Sequence, residues 1–234
     1  FEEAGFINAV VAKIQPEDAE WDAADYDYNV VRWSSEPDGN LLGIGPSVSN
    51  PLTGEIISAD VVNKLLAIKL GYNYRKLYGY TEDNDPLMQY ITNLTLHEVG
   101  HVLGLRHNFR GSYLYSPDEI HDKNITGNVL MSSVMDYDPI NIAPEGVEQG
   151  IYFSTEPGVY DKWAVKFGYT PNLTDEERTA LLQQSVKREL TFGTDDDAMS
   201  YPGNNIDPRT KRYDMSNDPI GYAEDIVKIV DQKI

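Results

Sequence analysis

The first sixty residues carry short apolar, often β-branched runs separated by polar, turn-rich stretches, which is the pattern of strands. Residues 1–5 read as the last turn of a helix stopped at Gly5. The runs at 8–14 and 28–33 read as strands, with an acidic surface loop over 16–27 between them, and 41–49 adds an irregular strand. A third clear strand is expected over 53–59, entered through a turn at Pro51 and Gly54.

From Asp60 the period changes. Val61, Leu65, Ile68 and Tyr72 share one helical face, with Asp60 placed as N-cap. A second helix is expected over 86–103, opened by Pro86 and ended by Gly104. Past His107 the chain is rich in Ser, Asn, Asp, Pro and Gly up to about Gly158, and so long an irregular stretch is either disordered or functional. Helices resume at 159–167, at 175–190 with Thr174 as N-cap, and at 218–230. Asp195, Asp196 and Asp197, then Pro- and Gly-containing turns, lie between the last two. The pattern predicts an α+β chain, read as one domain over 1–234. Its N-terminal lobe, 1–108, holds a mixed twisted sheet and the 86–103 helix; its C-terminal lobe, 109–234, is irregular and helix-bearing.

Composition narrows this picture. With 41% hydrophobic and 11% aromatic residues, the 234-residue chain can bury a core, and no apolar run approaches the roughly 18 residues of a membrane span. The net charge of −19 excludes a basic nucleic-acid surface. The absence of cysteine removes disulfides, thiolate metal sites and thiol nucleophiles. The chain opens at Phe1 without a signal-peptide pattern and reads as a processed product or a domain excised from a longer chain.

Three of the four histidines fall in His97-Glu-Val-Gly-His-Val-Leu-Gly-Leu-Arg-His107. Chance would produce that arrangement roughly once in a hundred thousand chains of this composition, so the motif is specific. On a helix, His97 and His101 lie about 40° apart on one face and one turn apart along the axis, so both rings can reach one ion. Glu98 is rotated beside that face, within reach of a water on the ion without being a ligand. Gly104 can adopt positive φ and stop the helix, after which His107 approaches from another direction. Three imidazoles leave a fourth position open, the mark of a catalytic zinc site. An amphipathic helix that merely happens to carry these rings needs no such cluster, because Val99, Val102, Leu103 and Leu105 already supply its apolar face.

The segment resembles the zinc signature HExxHxxGxxH of the metzincin clan of metallopeptidases in every fixed position. Ser132-Ser-Val-Met-Asp-Tyr137 is similar to that clan's methionine-bearing turn, which implies that Met135 is the Met-turn residue. Tyr137 then matches the tyrosine that in astacin- and serralysin-like members binds the zinc and swings to the oxyanion. Further blocks at 51–60, 97–109, 160–164 and 207–214 resemble bacterial zinc-dependent metalloproteases with a Met-zincin domain, common in Bacteroidetes. That likeness implies a metzincin-like fold and an exported protein, whether periplasmic, cell-surface or secreted. Asn108 departs from the Glu or Pro that follows the third histidine in astacins and serralysins, so their specificities do not carry over.

The expected activity is a zinc-dependent endopeptidase acting on peptide or protein substrates. A zinc-activated water attacks, with Glu98 as general base and Tyr137 donating to the oxyanion. One catalytic Zn2+ is expected, and the oligomeric state stays open. An extended substrate would pair with an edge strand, for which 53–59 is the candidate. The alternatives are a zinc-retaining binding or scaffold module without turnover, a peptidase with a glutamate as third ligand, and a zinc hydrolase of non-peptide amides. Intact Glu98 argues against the first, and Gly104, His107 and Met135 against the second. The acidic runs at 82–85 and 195–197 read as solvated loops; Ca2+ there is an option that no EF-hand spacing supports. His121, among Asp122, Lys123 and Asn124, reads as a solvated loop residue, and Trp163 as helix packing.

Overall fold

Two β-branched residues, Val61 and Val62, decide the start of the architecture. They belong to a strand, β5 (Val61–Lys64), rather than to the helix that the 61/65/68/72 spacing predicts. The computed structural model describes residues 1–35, 41–198 and 207–233. Within them β5 is the centre of a mixed three-stranded sheet. β1 (Val31–Ser34) pairs with it in parallel, Val31 opposite Val61. On its other side β2 (Gly43–Ile44) pairs antiparallel, Gly43 opposite Asn63. Asp60 does not cap a helix; its carboxylate accepts from Val30 N at 2.9 Å and pins β1 beside β5. Such a long-range bond outweighs a local capping preference because it comes with a full strand pairing.

β3 (Ser47–Ser49) and β4 (Ile56–Ala59) form a separate antiparallel hairpin, where the third strand was expected over 53–59. Gly54, at φ +76°, turns it by donating to Asn50 O at 2.8 Å. The expected strand over 8–14 does not form. Its side chains are exposed and no strand among the described residues pairs with it, so strand-like composition alone did not suffice. Residues 1–5 make turns rather than a helix end.

The first helix, α1 (Leu65–Tyr78), lies against α2 (Pro86–Val102). Gly71 permits the approach: a Cβ there would lie 2.4 Å from Leu87 Cδ1. Asn63 of β5 donates to Thr95 Oγ1 of α2 at 3.0 Å, fixing the sheet on the same helix. α2 begins where the sequence places it. Asp85 caps it by accepting from Leu87 N at 3.0 Å, and the Arg75 guanidinium beside Asp85 holds that carboxyl below its ordinary range.

The stretch after His107 is irregular as expected, with one 3-10 turn (Gly111–Leu114) and the single-turn α3 (Lys123–Thr126). It is ordered by side chains. Gln89 Oε1 of α2 accepts from Tyr152 N at 2.7 Å and Phe153 N at 3.2 Å, and Asn141 Nδ2 donates to Ile120 O and Ile151 O. α4 (Val159–Tyr169) follows, with Trp163 Nε1 donating to Leu181 O. α5 (Asp175–Leu182) is capped by Thr174 and Glu177 and ends eight residues before the expected limit, in 3-10 turns over Gln183–Val186 and Arg188–Leu190. The short α6 (Asp195–Ala198) and the terminal α7 (Pro219–Lys233) complete the chain. Some of the turns expected after Asp197 fall on residues 199–206, outside the described residues.

Two apolar clusters hold these pieces. One joins Ala67, Tyr90, Tyr152 and Phe153, between the two long helices and the irregular stretch. The other joins Ile120, Leu130, Met131, Ile151, Met215 and Tyr222. His121 belongs with the second, a correction to its solvated reading: it is buried and its ring lies 6.3 Å from that of Tyr222. Among the described residues no helix is long and apolar enough to cross a membrane.

Candidate metal centre

The last two turns of α2 present His97 and His101 on one face, their ring centroids 4.7 Å apart. The helix then stops in a Schellman arrangement. Gly104, at φ +86°, donates to His101 O at 2.9 Å, and Leu105 N donates to Gly100 O at 3.0 Å. This reversal brings His107 back onto the cluster, 4.7 Å from His101 and 5.3 Å from His97 between ring centroids. Ligand atoms of the three rings all lie within 4.8 Å of one another.

Each ring is oriented by an acceptor on its Nδ1. His97 donates to Val134 O at 2.7 Å, His101 to Leu105 O at 3.0 Å, and His107 to Asp195 Oδ2 at 2.8 Å. A carbonyl or carboxylate can only accept, so the three Nδ1 atoms carry protons, and in the neutral rings the lone pairs lie on Nε2. His101 Nε2 and His107 Nε2 face each other at 3.1 Å. Two lone pairs at that distance repel unless a cation lies between them, and ligands on tetrahedral zinc sit about 3.3 Å apart. Burial pushes the His97 ring down to about 3, with His101 adding to the effect, and burial also lowers His101. Both rings are thus held neutral, the state a metal ligand needs. The donor set fits zinc.

Glu98 lies beside the rings and beneath β2. A Cβ on Gly43 would sit 2.7 Å from Glu98 Oε1, and one on Gly45 would sit 2.3 Å from Glu98 O. Gly43 therefore lets the edge strand rest on the carboxylate, and Gly45 lets the chain after it rest on the Glu98 backbone. Glu98 is 5% exposed, and this burial raises its carboxyl to about 7 against the lowering effect of the Gly45 N–H. β4, the candidate edge from the sequence, pairs with β3 in the other sheet; the sheet edge at Glu98 is β2.

Met135 is fully buried. A mid-helix glycine costs about 1 kcal/mol relative to alanine, and Gly100 shows why one is present: a Cβ would lie 2.2 Å from Met135 Sδ. Tyr137 follows on the same turn and its hydroxyl donates to His107 Nε2 at 2.9 Å. Burial, then the nearby Asp195 carboxylate, raises this phenol to about 12. All six residues singled out from the sequence, His97, Glu98, His101, His107, Met135 and Tyr137, are therefore brought to one place.

A model of the Met-zincin family matches residues 80–234. The chain belongs to the Met-zincin family. At the family level it is a metzincin-type zinc peptidase, with a three-histidine group able to hold the metal. No curated protein and no solved structure matches it.

Three residues of this Met-zincin site were not legible as such. Asp161 of α4 accepts from Ser133 Oγ at 2.6 Å, Val134 N at 2.8 Å and Gly158 N at 2.8 Å, and so fixes the turn that carries Met135. Its place in the 160–164 block was the only signal. Asn108 is fully buried and bonds to the 191–193 segment. Asp195 sits against His107, so the acidic run 195–197 is not a solvated loop: Asp196 pairs with Arg106, and Asp197 accepts from Thr194 N.

Proposed function

We propose that the chain is a zinc-dependent endopeptidase in which His97, His101 and His107 hold one catalytic zinc ion and Glu98 is the general base. The two lobes, 1–108 and 109–234, form one catalytic domain around that site. The observation that carries this reading is the common aim of the three imidazoles, with every Nδ1 occupied and the Nε2 lone pairs converging beside a buried carboxylate. When bound, zinc supplies a Lewis acid that polarises the scissile carbonyl and acidifies water.

Glu98 takes a proton from the attacking water and passes it to the leaving amine nitrogen. A carboxyl raised to about 7 suits both halves of that task at neutral pH. Tyr137 keeps its proton under the same conditions and donates it as a hydrogen bond to the oxyanion. Met135 supports the rings from below as the Met-turn residue, through its contact with Gly100. The substrate lies extended along β2, the sheet edge over Glu98. A scaffold without turnover would gain nothing from a buried carboxylate at this position, since such burial is costly and raises its carboxyl against the Gly45 N–H.

Zinc content and peptide-library cleavage of the parent and of Glu98→Ala test the reading. About one zinc per chain is expected in both, with cleavage reduced at least 10²-fold in the variant. A zinc-free parent would sink the proposal, and zinc with no cleavage in the parent would replace it by the scaffold reading.

A further inference from the structure

The partner of the third ligand comes from a remote part of the chain. His97 and His101 donate their Nδ1 protons to backbone carbonyls, whereas His107 donates to the carboxylate of Asp195, 88 residues downstream. A carboxylate behind a ligating imidazole fixes its tautomer and ring plane and raises its basicity more than a neutral carbonyl can. His107 is also the ligand that most needs this. His97 and His101 are carried by the helix, while His107 stands on the irregular chain beyond Gly104.

The segment that carries Asp195 is braced against the ligand loop. Phe109 N donates to Gly193 O at 2.7 Å. Gly193 N donates to Asn108 Oδ1 at 3.1 Å, and Asn108 Nδ2 donates to Thr191 O at 3.1 Å. Asn108 N donates in turn to Met135 O at 3.0 Å. Asn108, the residue that departs from the astacin and serralysin pattern, thus ties the third ligand, the Met135 turn and the 191–195 segment together. Asp196, by contrast, pairs with Arg106 at 3.2 Å, and both side chains are mostly exposed.

We propose that Asp195 is a positioning residue of the metal site, holding His107 in ligand geometry through Nδ1, and that Asn108 holds the segment that delivers it. The inference rests on the zinc reading above. The test uses the whole chain and measures three quantities: Zn2+ dissociation constant by chelator competition, the visible spectrum of the Co2+-loaded protein, and the melting temperature of the metal-free protein. The variants are Asp195→Asn, Asp195→Ala, Asp196→Asn and His107→Ala.

Asp195→Ala is expected to weaken zinc binding about 10- to 100-fold, and Asp195→Asn about 10-fold because it keeps an acceptor but loses the charge. Both should shift the Co2+ bands, while Asp196→Asn stays within about twofold of the parent with an unchanged spectrum. A parent that binds zinc only when His107 is present, beside an Asp195→Asn variant of parental affinity and spectrum, overturns this inference alone. A drop in metal-free melting temperature without a spectral change would likewise assign Asp195 a merely structural role. A parent that binds no zinc removes the zinc reading and this inference together.

Discussion

Up to Lys64 the described residues form turns and short extended segments, and many of their apolar side chains face outward. Ile7, Val11, Ile14, Val31 and Val48 are all more than half exposed. Between residues 108 and 158, where only two short helical turns interrupt irregular backbone, Phe109, Ile120, Leu130, Met131, Met135, Ile151 and Phe153 are at most 2% exposed. The difference lies in what satisfies the backbone. A buried N–H or C=O needs a partner, and in the second region side chains provide it: Gln89, Asn108, Asn141 and Asp161 each bond main-chain groups of that stretch. Regular secondary structure is one way to bury a chain, and a lattice of buried polar side chains is another. The candidate metal centre draws on both: His97 and His101 stand on the regular helix α2, while His107, Met135 and Tyr137 stand on the irregular stretch.

The largest effect should therefore come from the irregular region. Phe153 packs with Tyr90 and Tyr74, ring centroids 5.1 and 5.7 Å away. Phe153→Ala should cost about 3–5 kcal/mol by urea unfolding, without a change in m value. A loss below about 1 kcal/mol would mean that this cluster collapses around the gap, and the contrast between the regions would fail.

A smaller effect isolates the polar lattice. Burial raises the Asp161 carboxyl from 3.8 to about 6, against the opposing influence of the donors it accepts from. A folded-state value above the unfolded one means that the native protein binds the proton more tightly. The resulting contribution is present in full below about pH 4 and is lost as pH rises through about 6. Stability of the parent relative to Asp161→Asn should thus decline between pH 4 and pH 7, by at most roughly 3 kcal/mol for a shift of about two units. Paired urea titrations across that range measure it. A difference that is flat, or that grows with pH, would show that the three accepted hydrogen bonds outweigh desolvation at Asp161.

The same contrast explains what could be read from the sequence. α2 and its histidines were legible because their signals are local: Asp85-Pro86 opens the helix, Gly104 closes it, and the ligand spacing lies within eleven residues. Met135 and Tyr137 were reached only through the metzincin resemblance, since nothing in their own neighbourhood ties them to His97 or His107. β5 was misread because Val61, Leu65, Ile68 and Tyr72 fit a helical face, and the deciding bond, Asp60 to Val30 N, spans thirty residues. The roles of Asn108, Asp161 and Asp195 were hidden because the partners that define them, Gly193, Val134 and His107, lie 85, 27 and 88 residues away. His121 was misjudged for the opposite reason: its neighbours are polar, but its ring reaches Tyr222.

The smallest effect is expected in the extended N-terminal region, and it sharpens the comparison from that side. Ile14 is 96% exposed, and no strand among the described residues pairs with the strand-like run it ends. A side chain already in water loses no burial when it is replaced, so Ile14→Ser should change unfolding free energy by less than about 0.5 kcal/mol. The same measurement discriminates between two states of this region. A loss above about 1 kcal/mol would show that the run is covered in solution, because only a buried isoleucine carries that much transfer energy. The apolar character of residues 8–14 would then reflect a packed strand after all, and the outward-facing description of the N-terminal region would have to be withdrawn.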